Sequence, residues 1–354
     1  MSMPALHVER VTQSRRPPAR ELGRVPFSSV FSDHMLVAEY ADGAWRQASL
    51  RSYGSLSLPP SISSLQYGIS VFEGLKAHRT PTGEVALFRP RDNARRLNRS
   101  ADRLALPAVP EEFFVQSLRA LVRLDEAWVP PFGEGALYIR PTLFSIDPSV
   151  RVKPAERCLY VVFTFPFGNY YTGAVDAFAS ERYVRAFPGG TGDVKVAGNY
   201  AAGILAEREA RDAGFHTVLW LDAREHAFVE ESGVMNAFFV IRDTVVTPAL
   251  EGSILAGITR DSAITVLREM GVAVSERRVS IDEIFTAHDR GTLRECFGTG
   301  TAATLSHIGR IRARGHTIEL PPIETRVVSR ALRDRLVAIA TGQEADTHGW
   351  LEHV

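Results

Sequence analysis

Pro188-Gly189-Gly190-Thr191-Gly192-Asp193-Val194-Lys195-Val196-Ala197-Gly198-Asn199-Tyr200 is the stretch on which the reading of this chain turns. It sets one lysine among glycines and apolar residues. Of 41 Lys plus Arg, only Lys76, Lys153 and Lys195 are lysine. Arginine keeps its proton in a protein, whereas lysine can lose it and form a Schiff base with a carbonyl. Lys195 is therefore a candidate nucleophile. A solvated lysine on a Gly-rich loop is the competing account.

The flanking sequence mixes helices and strands. Residues 1–60, rich in Pro, Ser and Arg, predict a surface wrap with one short strand at 35–40. Helical spacing predicts a helix over 91–106, ended by Pro107, and another over 111–129, ended by Pro130-Pro131. Residues 136–146 and 158–165 predict buried strands. The run 168–173 reads as a linker. Beyond it the pattern predicts a helix at 200–212, strands at 217–222, 227–230 and 235–241, and a helix at 259–270. Ser280-Ile281-Asp282-Glu283 has the capping-box pattern. A strand at 293–297 and a helix at 325–341 follow. Strands and helices do not strictly alternate, which favours an α+β fold over a doubly wound sheet. The expected division is an N-terminal domain 1–166, a linker 167–176 and a C-terminal domain 177–354.

Composition narrows the function classes. The 354 residues are 45% hydrophobic and 23% charged, and 41 basic residues balance 41 acidic ones. That balance gives no electrostatic footprint for nucleic acid. The longest apolar runs, such as 237–241, are too short to span a bilayer, and residues 1–25 lack the apolar core of a secretory signal. A cytoplasmic protein is expected. Cys158 and Cys296 sit in strand-like stretches and read as buried free thiols. No Cys or His spacing suggests a metal site.

Several further residues can carry chemistry. Ala256-Gly257-Ile258-Thr259 leads into a helix, whose N-terminal N–H groups suit a phosphate; Thr259 as a plain N-cap is the alternative. Gly298-Thr299-Gly300-Thr301-Ala302-Ala303 follows a strand and offers either a second N–H cluster or a simple tight turn. Neither matches a P-loop. Glu230-Glu231 ends an apolar strand, where a carboxylate can meet a protonated ring nitrogen or merely sit in a turn. Tyr138 and Arg140 flank Ile139 and share one strand face. An inward arginine there requires an anion, which a substrate carboxylate or a structural ion pair would supply.

In order, these segments resemble the branched-chain amino-acid aminotransferases of the pyridoxal-phosphate fold-type IV group. The likeness runs from about Tyr67 to the C-terminus. It comprises Tyr67-Gly68-Ile69-Ser70-Val71-Phe72-Glu73-Gly74-Leu75-Lys76, the Arg96 run, Tyr138-Ile139-Arg140-Pro141 and the Lys195 stretch. Glu231 to Asn236, Gly257-Ile258-Thr259-Arg260 and Gly300-Thr301-Ala302 continue it, and Thr347-His348-Gly349-Trp350 completes it. The resemblance implies a two-domain, D-amino-acid-aminotransferase-like fold. Its N-terminal α/β domain would be the smaller, and the larger C-terminal domain would have a β-barrel-like core.

The resemblance also implies roles. Lys195 would hold pyridoxal 5'-phosphate as an internal aldimine and shuttle the substrate α-proton. Glu231 would pair with the ring nitrogen, and Tyr200 would bond the ring O3'. Arg96, Thr259, Thr301 and the Ile258 N–H would bind phosphate. Thr301 and Ala302 would meet the substrate carboxylate, with Tyr138 and Arg140 shaping that side; Tyr67, Phe72 and Tyr170 would wall the side-chain pocket. A homodimer is implied. Val234 replaces a threonine found in some members, and Thr304-Leu305-Ser306-His307 lacks the redox CxxC of animal enzymes, so no thiol switch is expected. The implied reaction moves the amino group of Leu, Ile or Val to 2-oxoglutarate in ping-pong halves. The rivals are a same-fold transaminase for aromatic amino acids, D-amino acids or amines, an aminodeoxychorismate-lyase-like enzyme, and a non-catalytic homologue.

Overall fold

The computed structural model describes residues 4–168 and 173–354. The chain divides into two compact units. One comprises Met1–Tyr170, Val194–Gly198 and Ala338–Val354; the other comprises Tyr171–Asp193 and Asn199–Val337.

The first unit is built on β1 (Leu6–Val8), β2 (His34–Ala41), β3 (Ala44–Ser52), β4 (Ser70–Phe72), β5 (Leu75–Arg79), β6 (Val85–Phe88), β7 (Ala136–Ser145) and β8 (Cys158–Phe167). Their order is β1-β3-β2-β8-β7-β5-β6, with β4 also on β7. The β1–β3 pair is parallel, whereas β7 and β8 pair antiparallel over their full lengths. Helices Pro90–Arg103 and Glu111–Leu124 feed Leu97, Ala101, Phe114 and Leu118 into one core with Leu36, Leu50 and Tyr160. Pro90 stands at the start of its helix, where its missing N–H costs nothing.

The second unit carries β9 (Val175–Ala179), β10 (Thr217–Leu221), β11 (Val229–Ser232), β12 (Met235–Ile241), β13 (Thr244–Thr247), β14 (Ala273–Glu276), β15 (Leu293–Gly300), β16 (Thr304–Ala313) and β17 (His316–Glu319). The sheet runs β11-β10-β9-β16-β15-β12-β13-β14, and an added β11–β12 pairing closes six strands into a barrel. Closure covers the edge that β11, the end strand, would otherwise expose. Val175, Ala177, Leu219, Ala237, Phe239, Cys296 and Ile308 form its main apolar cluster. Ser280 caps helix Ile281–Asp289 by accepting from the Glu283 N–H, whereas the Glu283 carboxylate pairs with Arg277.

The expected α+β fold with a barrel is present; the boundaries differ. Two segments assigned by sequence to 177–354 belong to the first unit. The C-terminal β18 (Leu351–His353) pairs antiparallel with β6, and Lys195 lies beside β4, whose Phe72 N–H donates to the Lys195 carbonyl at 3.1 Å. With these additions the N-terminal unit is not the smaller of the two. Part of the 167–176 linker lies outside the described residues. Residues 1–60 hold a full hairpin, β2–β3, rather than one strand. The helix expected over 200–212 is two, Ala197–Ala201 and Ile204–Asp212, interrupted at Gly203. Both cysteines are buried and free, and burial pushes the Cys158 thiol up to about 12. Among the described residues, no helix is long and apolar enough to cross a membrane.

His78 on β5 is buried, with no hydrogen-bond partner at Nε2 among the described residues. Burial first, then the nearby Lys76 charge, depresses its pKa from 6.5 to about 3. The folded ring therefore stays neutral while the unfolded one takes a proton, so stability falls as pH drops below 6.5. Urea unfolding midpoints at pH 7 and pH 5 test this. Wild type should lose roughly 2 kcal/mol more over that interval than His78→Met; parallel losses would refute the assignment.

Candidate functional site

The first unit holds Lys195 by backbone contacts. Its N–H donates to Ser100 Oγ at 2.9 Å, and Ser100 Oγ donates to the Arg96 carbonyl at 2.9 Å. Val196 bridges Val71. Arg96 and Ser100 lie one helical turn apart on the buried face of helix Pro90–Arg103. One helix turn thus carries Arg96 and fixes the backbone of Lys195. The Lys195 Nζ stands 4.7 Å from the Phe72 ring centroid, and Arg140 Cζ lies 4.8 Å from the same ring.

Arg96, assigned by resemblance to phosphate, forms a two-point ion pair with Glu73, Nε to Oε1 and Nη2 to Oε2, both 2.7 Å. The Glu73 side chain is fully buried and that of Arg96 is 8% exposed. Glu73 and Ser100 received no role from sequence reasoning. A lone carboxylate in the apolar run from Val71 to Leu75 was the available signal for Glu73; no pattern marked Ser100.

Tyr138 and Arg140 do share one face, and Arg140 Nη2 lies 3.5 Å from the Tyr138 hydroxyl. Among the described residues Arg140 has no carboxylate partner, and its Nε is buried without a hydrogen bond. The structural ion pair considered for it does not form there. Gly74 permits the placement of Tyr138: a Cβ there would lie 2.0 Å from the Tyr138 hydroxyl oxygen and 2.8 Å from Cζ. Tyr67 ends helix Ser63–Tyr67, is 45% exposed and donates its hydroxyl to the Val150 carbonyl. Tyr170 lies outside the described residues.

The second unit holds the remaining candidates. Glu231 on β11 is buried; its Oε1 accepts from the Leu255 N–H at 2.8 Å and lies 3.0 Å from Arg185 Nη2. Arg185 also donates to the carbonyls of Gly192 and Ser253, so three acceptors fix it. No motif pointed to Arg185. At Glu230 burial raises the pKa, Ser253 Oγ donates to Oε1, and Oε2 has no hydrogen-bond partner among the described residues. Glu231 pairs in register with Asn236, and Asn236 with Thr299 on β15. Asn236 Nδ2 donates to the Leu255 carbonyl at 2.9 Å.

Asn236 thereby shapes the turn into helix Ile258–Glu269. The N-cap is Gly257, with no side-chain cap, so Thr259 is not the cap considered as its alternative. A Cβ at Gly257 would lie 2.0 Å from Asn236 Oδ1. The N-terminus of a helix suits an anion by the direction of its N–H groups and its dipole. Thr301 and Ala302, half-buried, occupy the turn between β15 and β16. Tyr200 lies on helix Ala197–Ala201, and Val234 is exposed in the β11–β12 turn.

A family model described as amino-transferase class IV matches residues 70–311. The branched-chain-amino-acid transaminase 1 of Bacillus subtilis (strain 168) is 42% identical over 349 residues, covering 97% of each chain. Among solved structures, the branched-chain aminotransferase of Thermoproteus uzoniensis with norvaline is similar, with a TM-score of 0.75 and 27% identity. That match covers 90% of this chain and 99% of the other. A second solved branched-chain amino acid aminotransferase, complexed with N-(5'-phosphopyridoxyl)-L-glutamate, gives a TM-score of 0.72 at 27% identity, covering 89% of this chain and 97% of the other.

The Gly74–Tyr138 approach gives a direct test. Gly74→Ala should lower the unfolding midpoint, an overpacking cost of about 1–3 kcal/mol. Adding Tyr138→Phe removes the nearest atom and should recover part of that loss in thermal melts. No recovery would mean that the Tyr138 hydroxyl is not what Gly74 accommodates.

Proposed function

Because the chain belongs to the class IV aminotransferase family, we propose that it moves the α-amino group of leucine, isoleucine or valine to 2-oxoglutarate with pyridoxal 5'-phosphate as cofactor. The observation that carries this reading is the 42% identity to a branched-chain transaminase across 97% of both chains, with the whole proposed residue set present. The donor set fits the cofactor: a lysine amine, a buried carboxylate, a tyrosine, and a helix start without a side-chain cap. Bound pyridoxal phosphate supplies an aldehyde for amine exchange and a protonated ring that withdraws electrons from the substrate Cα.

In this reading Lys195 carries the cofactor and, once displaced by the incoming amine, takes the Cα proton on Nζ. Arginine could not do this, because it does not give up its proton. Glu231 accepts from the ring N–H and keeps that proton in place; its bond from the Leu255 N–H and its pair with Arg185 hold the carboxylate in position for that role. Tyr200 donates to the ring oxygen. Arg96, the Ile258 N–H, Thr259 and Thr301 bind phosphate, while Thr301 and Ala302 N–H groups take the substrate α-carboxylate.

Phe72, Tyr138, Tyr67 and Tyr170 line the side-chain pocket. One site must then accept an aliphatic chain and a γ-carboxylate in turn. Arg140, without a carboxylate partner among the described residues, is the group that meets the second. The phosphopyridoxyl-glutamate adduct in the solved relative supports an acidic substrate in the family. A cytoplasmic homodimer completes the reading on resemblance alone.

Lys195→Ala should abolish both turnover and the visible absorbance band of the cofactor-loaded enzyme. Arg140→Met should raise KM for 2-oxoglutarate about tenfold or more while leaving KM for the leucine-derived 2-oxo acid within a factor of about three. Equal losses with both acceptors would remove the role given to Arg140. Full turnover by Lys195→Ala would sink the mechanism.

A further inference from the structure

We propose that Glu73 is a positioning residue for cofactor phosphate, acting through Arg96. This rests on the reading just given. Glu73 lies in the two-residue gap between β4 and β5, and its N–H donates to the Pro141 carbonyl at 2.8 Å. The Gly74 N–H donates to its Oε2 at 3.2 Å. Its backbone and one oxygen are therefore fixed before Arg96 is considered. Both carboxylate oxygens then meet Arg96 at 2.7 Å, with the Glu73 side chain fully buried. A planar fork gripped at two nitrogens loses its freedom to rotate, so the plane of the guanidinium is set by Glu73. The Arg96 backbone is set separately by the Ser100 hydroxyl.

Two effects oppose each other. The carboxylate partly cancels the charge that attracts phosphate, which weakens binding. It also spares the phosphate the entropy of ordering a long side chain and prevents Arg96 from turning to another acceptor. Burial of the pair decides for the second: an arginine lacking Glu73 would lose its compensating charge and would move toward other acceptors. The same carboxylate sits between Phe72, which holds the Lys195 carbonyl, and Gly74, which admits Tyr138. One buried side chain thus anchors the segment that meets all three groups.

The test compares two ligands on the full-length, cofactor-depleted chain: pyridoxal 5'-phosphate and phosphate-free pyridoxal. Both form the Lys195 adduct, so absorbance reads both affinities. Glu73→Gln should weaken the phosphate ester about tenfold or more and leave pyridoxal within about threefold. In an Arg96→Ala background, Glu73→Gln should produce no further loss of phosphate-ester affinity. Should Glu73→Gln fail to fold, Glu73→Asp, which retains the charge but retracts it, should show a smaller loss of the same selectivity. Equal losses for both ligands, tighter binding of the ester, or additive losses with Arg96→Ala would each overturn the proposal. Wild-type chain that binds pyridoxal phosphate no better than pyridoxal would instead remove the cofactor reading, and the role of Glu73 with it.

Discussion

A carboxylate withdrawn from water must be met by donors, and both units are arranged around that constraint. In the first, Glu73 is met by Arg96, while Asp33 takes the Trp128 indole and the Arg15 N–H. In the second, Glu231 is met by Arg185 and the Leu255 N–H. Glu295 there takes three successive N–H groups from Val327, Val328 and Ser329, at 2.7–2.8 Å, and so caps the last helix from a neighbouring strand. Each pairing joins segments distant in sequence. The buried charges therefore act as register pins, which apolar contacts, being non-directional, cannot do as sharply.

That same distance limits what sequence reveals. The Arg96–Glu73 pair spans 23 residues and the Lys195–Ser100 bond spans 95. No local period marks either pairing: the apolar run around Glu73 singles out the carboxylate but not its partner, and nothing in the sequence marks Ser100 or Arg185. By contrast, strand 235–241 and the Ser280 cap were legible because each rests on local chemistry, apolar β-forming residues in one case and a side-chain oxygen facing a free N–H in the other. Strands β13 and β14, four residues each, are too short for alternation to register. The β3 strand was missed because only Trp45, Ala48 and Leu50 are buried among polar neighbours. Segments 194–198 and 338–354 depart from the expected division for a related reason: strand pairing, not chain order, decides which unit a segment joins.

Barrel register explains how the second unit gathers its candidates. Residues paired directly across neighbouring strands point to the same side. Glu231, Asn236 and Thr299 form such a row over β11, β12 and β15. Asn236 then carries the order out of the sheet, through its bond to Leu255 and its contact at Gly257, to the start of helix Ile258–Glu269. A buried carboxylate and the start of helix Ile258–Glu269 are thereby fixed relative to each other by one amide side chain. Closure of the barrel matters here, because a slip of β11 against β12 by one residue would turn Glu231 to the other side.

The chain also separates two kinds of cation. Arginines take the permanent charges: Arg96, Arg185 and Arg260 are each buried against a carboxylate or carbonyl. The three lysines occupy different settings. Lys153 is paired with Glu156 on the surface, which raises its pKa. Lys76 is half-buried near His78, and desolvation pushes it down to about 8. Lys195 rests its ammonium against Phe72, with its backbone fixed on both sides. Under the proposed reading, a backbone fixed on both sides suits a lysine that bonds a carbonyl and exchanges a proton in turn. An arginine could fill the same space but could do neither.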